Sequence, residues 1–149
     1  MVEIERINLP EAKRMGKTKR QKKLLIRGFE CLIDESIASY IQWLNENEFH
    51  TIGCCSGDPI DHHIKELDPP YLLFPTKLLT KDKKDLIINT ISEINNRDPE
   101  INLKYDISDA KFGFCENNVE YKNLLSLSCK YPAGLHLFFH VLKQNLKKR

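Results

Sequence analysis

Residues 50–63, HTIGCCSGDPIDHH, hold the densest group of side chains that can do chemistry. Two adjacent cysteines, three histidines, two aspartates and a Ser-Gly pair lie within these fourteen positions. Thiolates act as nucleophiles or metal ligands, imidazoles bind metals or transfer protons, and carboxylates accept protons. The stretch separates an amphipathic pattern from an apolar run, so it is predicted to be a strand end followed by a long surface loop.

The predicted centre of this stretch is the turn formed by residues 53–57. Small residues at a strand end let the backbone turn sharply and expose amide N–H groups that can hold phosphate or carboxylate. Cys55 lies at the edge of this turn, where an imidazole that lowers its pKa makes it a nucleophile or an acid. The alternative is that Cys54 is a core residue and Gly57 is only a turn residue, since buried cysteines are common.

Metal binding is a second use of the same residues. Cys54 or Cys55 with His62 and His63 offers sulfur and nitrogen ligands to zinc, and water or His50 completes the set. The spacing matches no common structural zinc motif, so zinc is an alternative and no metal ligand is assigned.

Positive charge is concentrated near the N-terminus. Residues 1–27 contain nine Lys/Arg and three acids, whereas the remainder contains fourteen Lys/Arg and eighteen acids. A basic segment of this kind, residues 13–27, indicates a polyanion such as nucleic acid, or else a solvated arm. The predicted nucleic-acid contacts are Lys13, Arg14, Lys17, Lys19, Arg20, Lys22, Lys23 and Arg27.

The end of the chain carries a weaker basic pattern. His136, His140, Lys143 and Lys147 follow one face of a predicted last helix, opposite an apolar stripe. Two histidines four residues apart can chelate a metal, but the lysines on the same face favour an exposed basic stripe. This stripe either contacts nucleic acid or only faces water.

Composition indicates one globular domain. The chain has 149 residues, of which 41% are hydrophobic, enough for a single core. No apolar run approaches the roughly 20 residues of a membrane span, and no signal-peptide pattern is present, so we expect a cytoplasmic protein. Five cysteines, two of them adjacent, are interpreted as reduced thiols.

The pattern of elements predicts an α+β fold. We expect a single domain in residues 31–149, preceded by a basic arm in residues 1–30, with three helices packed on a largely antiparallel sheet of about five strands. Asp34 and Thr80 are the predicted N-caps of the first two helices. The predicted helices are residues 34–47, 80–95 and 135–147, and the predicted strands are residues 50–55, 71–74, 101–107, 111–116 and 124–131.

Residues 34–57, DESIASYIQWLNENEFHTIGCCSG, resemble the archaeal and eukaryotic wybutosine-synthesis tRNA methyltransferases, the third enzyme of that pathway. Cys54 and Asp58 depart from the family pattern, which has serine and arginine there. The resemblance implies an α+β fold and S-adenosylmethionine-dependent methyl transfer to a modified guanosine in tRNA. The matching residues are Asp34, Asn45, Phe49, Thr51, Cys55, Ser56 and Gly57.

The leading hypothesis is therefore an RNA-associated enzyme, a tRNA methyltransferase that uses S-adenosylmethionine. Ser56 and Gly57 are predicted to position the cofactor, and His62 or Asp61 is predicted to accept a proton. The alternatives are a non-enzymatic nucleic-acid-binding module and a small zinc-binding protein. The predicted catalytic residues are Cys55, Ser56, Asp61, His62 and His63.

Overall fold

A computed structural model describes residues 20–26, 28–58, 61, 69–114 and 117–148. Three α-helices and six strands are present in these ranges, which confirms the predicted α+β class. The strands are β1 (Gln21–Ile26), β2 (Phe29–Asp34), β3 (Gly53–Cys55), β4 (Tyr71–Pro75), β5 (Lys104–Phe114) and β6 (Asn117–Ser128). The helices are α1 (Ala38–Glu46), α2 (Lys81–Arg97) and α3 (Pro132–Lys147).

The strands form two antiparallel sheets rather than one. β1 and β2 make a two-stranded hairpin, and the other four strands make a sheet in the order β3-β4-β6-β5. In that sheet Leu72 lies opposite Leu127 and Phe74 lies opposite Leu125, so one face of β4 and β6 is apolar. Because side chains alternate along a strand, this register places the apolar set on the core side.

The prediction of separate strands at residues 101–107 and 111–116 is wrong, since β5 is continuous from Lys104 to Phe114 and includes part of each. A bulge between Ser108 and Ala110 shifts the register and interrupts the alternation that sequence patterns rely on. At the bulge Asn123 has a φ of 53°, and its N–H donates to Asp109 Oδ1 at 3.0 Å. This hydrogen bond is the main reason why the pKa of Asp109 is lowered.

The β1–β2 hairpin occupies part of the segment that was predicted to be a basic arm. Leu24 and Ile26 on β1 are buried, at 8% and 7% exposure, whereas Lys22 and Leu25 are exposed. The lysine-rich composition does not indicate a strand, although the buried apolar residues of β1 alternate with exposed ones. Residues 20–26 are thus part of the folded structure, and the rest of the basic segment, residues 13–19 and Arg27, lies outside the described residues.

One apolar core joins the sheets to the helices. It includes Ile41 of α1, Ile87 of α2, Phe138 of α3 and Phe74 of β4, each fully buried, together with Leu24 of the hairpin. The hairpin is therefore packed into the same core as the four-stranded sheet. In the described ranges no helix has the length and apolarity to span a bilayer.

Of the two predicted N-caps, Thr80 and Asp34, the structure confirms only the first. Thr80 is confirmed, because its Oγ1 accepts a hydrogen bond from Lys83 N at 3.2 Å at the start of α2. Asp34 is wrong as an N-cap: a 3-10 helix, Glu35–Ile37, precedes α1, and the Asp34 side chain makes no capping bond. Its carboxylate instead accepts from Ser56 N, a partner from a distant part of the sequence.

Replacing Thr80 with alanine is expected to lower the free energy of unfolding by about 1 kcal/mol, because the first turn of α2 loses its capping oxygen. Urea unfolding followed by circular dichroism measures this change. Thr80→Ser keeps the oxygen and is the matched control. Equal losses in the two variants would contradict the capping role.

Candidate functional site

The predicted reactive turn is held in place by carboxylates from outside it. Asp34, at the end of β2, accepts a hydrogen bond from Ser56 N through Oδ2 at 2.8 Å. Asp61 Oδ2 accepts from Ser56 Oγ at 2.8 Å, from Ser36 N at 3.4 Å and from the Ser36 hydroxyl. We call Asp34, Ser36, Ser56 and Asp61 the carboxylate–serine network.

Three of the four residues of this network are buried, and Ser36 is partly buried. The exposed fractions are 4% for Asp34, 0% for Ser56 and 1% for Asp61. The Ser56 hydroxyl also accepts from Asp58 N at 3.1 Å, so both its donor and an acceptor site are used within the protein. Buried polar groups with these partners stabilise a single conformation, and the network fixes the loop entrance rather than presenting Ser56 to a ligand.

Gly57 has a structural requirement of its own. Its φ is +64°, and a Cβ built at this position would lie 2.4 Å from Cδ and Cγ of Pro70. The backbone therefore needs glycine both for its conformation and for its close approach to the start of β4. Pro70 covers this side of Gly57, which leaves it closed to a ligand.

The two adjacent cysteines lie on opposite faces of β3. Cys55 is buried at 5% exposure, and Cys54 packs against the core, as the alternative interpretation of Cys54 predicts. Burial raises the pKa of the Cys54 thiol far above its usual range, and the nearby Asp34 carboxylate raises it further. A thiol in this environment stays protonated near neutral pH, so Cys54 is not an activated nucleophile.

Thiol burial predicts a loss of stability in alkali. Burial raises the pKa of Cys129 from 9.0 to about 11, and that of Cys54 also rises. In the unfolded chain these thiols ionise above pH 9, while the folded state keeps the protons, so stability falls as pH rises through this window. We expect Cys129→Ala to reduce the loss between pH 8 and pH 10 by about 1 kcal/mol in urea unfolding. An unchanged pH dependence in this variant would contradict the prediction.

The remaining members of the predicted catalytic set are His62 and His63, which lie outside the described residues. In the described ranges, no group of three or more His, Cys, Asp or Glu residues is arranged to hold a metal ion. The zinc alternative includes both histidines and stays a prediction.

The basic segment is attached directly to this network. Arg20 N donates to Asp61 O at 3.1 Å, and Arg20 O accepts from Glu35 N at 3.1 Å. The Arg20 side chain pairs with Glu35 at 3.0 Å, and Lys23 pairs with Glu30 at 3.2 Å, whereas Lys22 is exposed. The other predicted basic contacts lie outside the described residues: Lys13, Arg14, Lys17, Lys19 and Arg27.

Helices α1 and α3 bring together a second group of polar and aromatic side chains. The ring centroid of Tyr40 lies 5.3 Å from that of His136 and 5.8 Å from that of His140. Lys143 Nζ lies 5.4 Å from the ring centroid of Tyr40 and 5.2 Å from that of Trp43. We call Tyr40, Trp43, His136, His140 and Lys143 the aromatic–cation seam.

The sequence predicts one half of this seam, the basic stripe of α3, and does not indicate that this stripe meets the other half, Tyr40 and Trp43 of α1. Residues three or four apart share one helix face, so the stripe of α3 is visible in the sequence. The sequence does not predict that these faces of α1 and α3 meet, because their contact depends on how the two helices pack.

A separate cleft of about 170 Å³ lies at the start of α3. None of the predicted catalytic or nucleic-acid-contacting residues lines it, so it adds nothing to the predicted site. Its lining residues are Asp98, Glu100, Ile101, Tyr131, Ala133 and Gly134.

Comparison with known proteins gives no match: no protein-family model, curated protein or solved structure is significantly similar to the chain. The resemblance of residues 34–57 to the wybutosine-synthesis methyltransferases therefore stays a prediction.

Proposed function

We propose that the protein binds RNA through a cationic surface that begins at its basic segment. The observation that carries this proposal is the attachment of Arg20 through its backbone to both Asp61 and Glu35. A free basic arm has no fixed position, whereas a segment that enters a paired strand holds its charges in register with the rest of the fold. RNA is favoured over DNA because residues 34–57 resemble a family that modifies tRNA.

The ion pairs on the hairpin do not prevent phosphate binding. Arg20–Glu35 and Lys23–Glu30 lie at the surface, where the carboxylates are 50% and 40% exposed. Exposed ion pairs contribute only about 0–1 kcal/mol, so a phosphate group can replace the carboxylate partner. Lys22 is exposed and its charge adds to this surface.

The residues on the turn give methyl transfer less support than the basic residues give RNA binding. S-adenosylmethionine needs hydrogen-bonding partners in the protein, and Ser56 and Gly57 are predicted to position it. Ser56 already uses its N–H and hydroxyl within the network, and Pro70 covers Gly57. These two residues do not fit a cofactor-binding role. Methyl transfer stays a prediction.

The salt dependence of RNA affinity tests the proposal. Fluorescence anisotropy of a labelled single-stranded RNA is measured with the full chain over a series of salt concentrations. We expect affinity to fall steeply with salt, and Lys22→Ala to reduce the slope of log K against log salt by about 0.7. An affinity that is absent or insensitive to salt would overturn the proposal.

Two controls separate binding from other effects. Lys104→Ala removes an exposed lysine from β5, at the opposite edge of the four-stranded sheet from β3, and is expected to leave RNA affinity unchanged. Cys55→Ala is expected to bind RNA as the unmodified protein does, because binding needs no thiol chemistry. Equal effects of Lys22→Ala and Lys104→Ala would indicate non-specific attraction rather than a defined surface.

A further inference from the structure

We propose that the aromatic–cation seam is a stacking site for an unpaired base of the bound RNA. This inference rests on the proposed RNA binding and specifies which part of the RNA the protein recognises. The seam lies outside the carboxylate–serine network and outside the basic hairpin. It combines flat aromatic rings with positive charge, as proteins that bind single-stranded nucleic acids do.

The two aromatic rings of the seam are supported from below by buried phenylalanines. Tyr40 is stacked on Phe139 with a centroid distance of 4.5 Å and an interplanar angle of 6°. Trp43 stacks against Phe49 at 6.0 Å and 17°. Phe139 and Phe49 are fully buried, so the rings above them are held at fixed angles before any ligand arrives.

The Lys143 ammonium already lies near both aromatic rings of the seam. Its ammonium is within 5.4 Å of both ring centroids, at a distance typical of cation–π attraction. Both rings are half-buried, so each keeps some surface open to solvent. A base that stacks on the rings displaces the ammonium from them, and the lysine can then pair with the phosphate of the same nucleotide.

His136 and His140 form the sides of the seam. Their rings stand at 80° and 79° to the ring of Tyr40, so they approach it edge-on. His140 Nε2 also lies 3.3 Å from the Tyr40 hydroxyl, which limits the rotation of both groups. Imidazole N–H groups beside a stacked base are donors for base edges or phosphate oxygens.

The position of α1 connects the seam to the basic hairpin. Tyr40 and Trp43 lie on α1, and α1 contacts both β1 and β2. A strand of RNA that leaves the seam can therefore follow α1 towards Arg20 and Lys22. A duplex does not suit this path, because both faces of its bases are already stacked.

The single tryptophan of the chain makes the seam directly observable. Trp43 is the only tryptophan, so intrinsic fluorescence reports this site alone. The full chain is titrated with a single-stranded RNA 12-mer and with the corresponding duplex, while anisotropy measures binding in parallel. We expect the single strand to quench Trp43 with the same midpoint as the anisotropy change, and the duplex to leave the emission unchanged.

Substitution of the ring provides an independent measurement. Trp43→Leu is expected to weaken single-strand binding by about fivefold to a hundredfold, the loss expected for one stacked base. Tyr131→Leu is the matched control, because Tyr131 is an exposed aromatic residue with Lys130 Nζ at 5.4 Å from its ring but lies outside the seam. Circular dichroism checks that both variants are folded, and the quenching of the unmodified protein does not depend on either variant.

The outcomes separate this inference from the proposed function. RNA binding without a change in Trp43 emission, or equal quenching by the duplex, would overturn the stacking site and leave RNA binding in place. A Trp43→Leu variant that is folded and binds as tightly as Tyr131→Leu would also overturn it. Absence of any RNA binding would overturn both proposals.

Discussion

Replacing Asp61 with alanine is expected to lower the free energy of unfolding by about 3 kcal/mol. The side chain is 1% exposed, and its Oδ2 accepts hydrogen bonds from the hydroxyls of Ser36 and Ser56. Removing the acceptor leaves the buried Ser56 hydroxyl without its partner, which costs about 1–3 kcal/mol, and the partly buried Ser36 hydroxyl loses the same acceptor. The network that fixes the loop entrance is then lost.

Urea unfolding followed by Trp43 fluorescence measures this loss. Glu35→Ala is the matched control from the same region, because it removes an exposed carboxylate that pairs with Arg20 and is expected to cost less than about 1 kcal/mol. Asp61→Asn keeps one acceptor oxygen and is expected to lie between the two. If Asp61→Ala were no more destabilising than Glu35→Ala, the network would not hold the turn.

Replacing Gly57 with alanine is expected to cost at least about 3 kcal/mol. The left-handed backbone at φ +64° alone costs roughly 1–2 kcal/mol for a residue with a Cβ. The remainder comes from the contact with Pro70, whose backbone N would lie 2.6 Å from the new Cβ and cannot move aside as a flexible side chain can. Thermal unfolding of the purified variant measures the change.

Gly28 provides a control that separates the two contributions. Its φ is +81°, but a Cβ built there has no neighbour within 4 Å. Gly28→Ala is therefore expected to lose only the backbone contribution, about 1–2 kcal/mol. Similar losses at both glycines would show that the contact between Gly57 and Pro70 is not a constraint.

Much of the fold could be predicted because its helices and central strands have regular patterns. The apolar residues Leu86, Ile87, Ile91 and Ile94 recur at helical spacing, and the structure has α2 there with Thr80 as its cap. The strand at residues 71–74 was recognised because an apolar run follows two prolines, and β4 begins at Tyr71. Local patterns of this kind persist because the same residues form the core.

The hairpin could not be predicted in the same way. β1 contains two lysines in six residues, and its pairing with β2 depends on a turn at Gly28 rather than on a strong apolar pattern. Asp34 was assigned to the nearest helix because a cap is a local interaction. Its actual partner is Ser56, and a contact across 22 residues leaves no local signal.

The sequence predicted which residues form the candidate site but not what they do there. Ser56 and Asp61 do come together with Asp34, within the segment that was expected to carry the chemistry. Burial then decides the role, and it makes Ser56 and Asp61 supports of the turn. Neither burial nor the meeting of α1 and α3 at the seam can be derived from residue types and spacing alone.

The measurement that tests RNA binding by this fold most directly is a map of amide and indole chemical shifts of the full chain during addition of a single-stranded RNA 12-mer. The proposed surface predicts shifts in the backbone amides of Arg20, Lys22 and Lys23 and in the indole N–H of Trp43. Amides of β5, at the far edge of the sheet, are expected to keep their positions. Shifts confined to β5 and β6, or no shifts at saturating RNA, would contradict it.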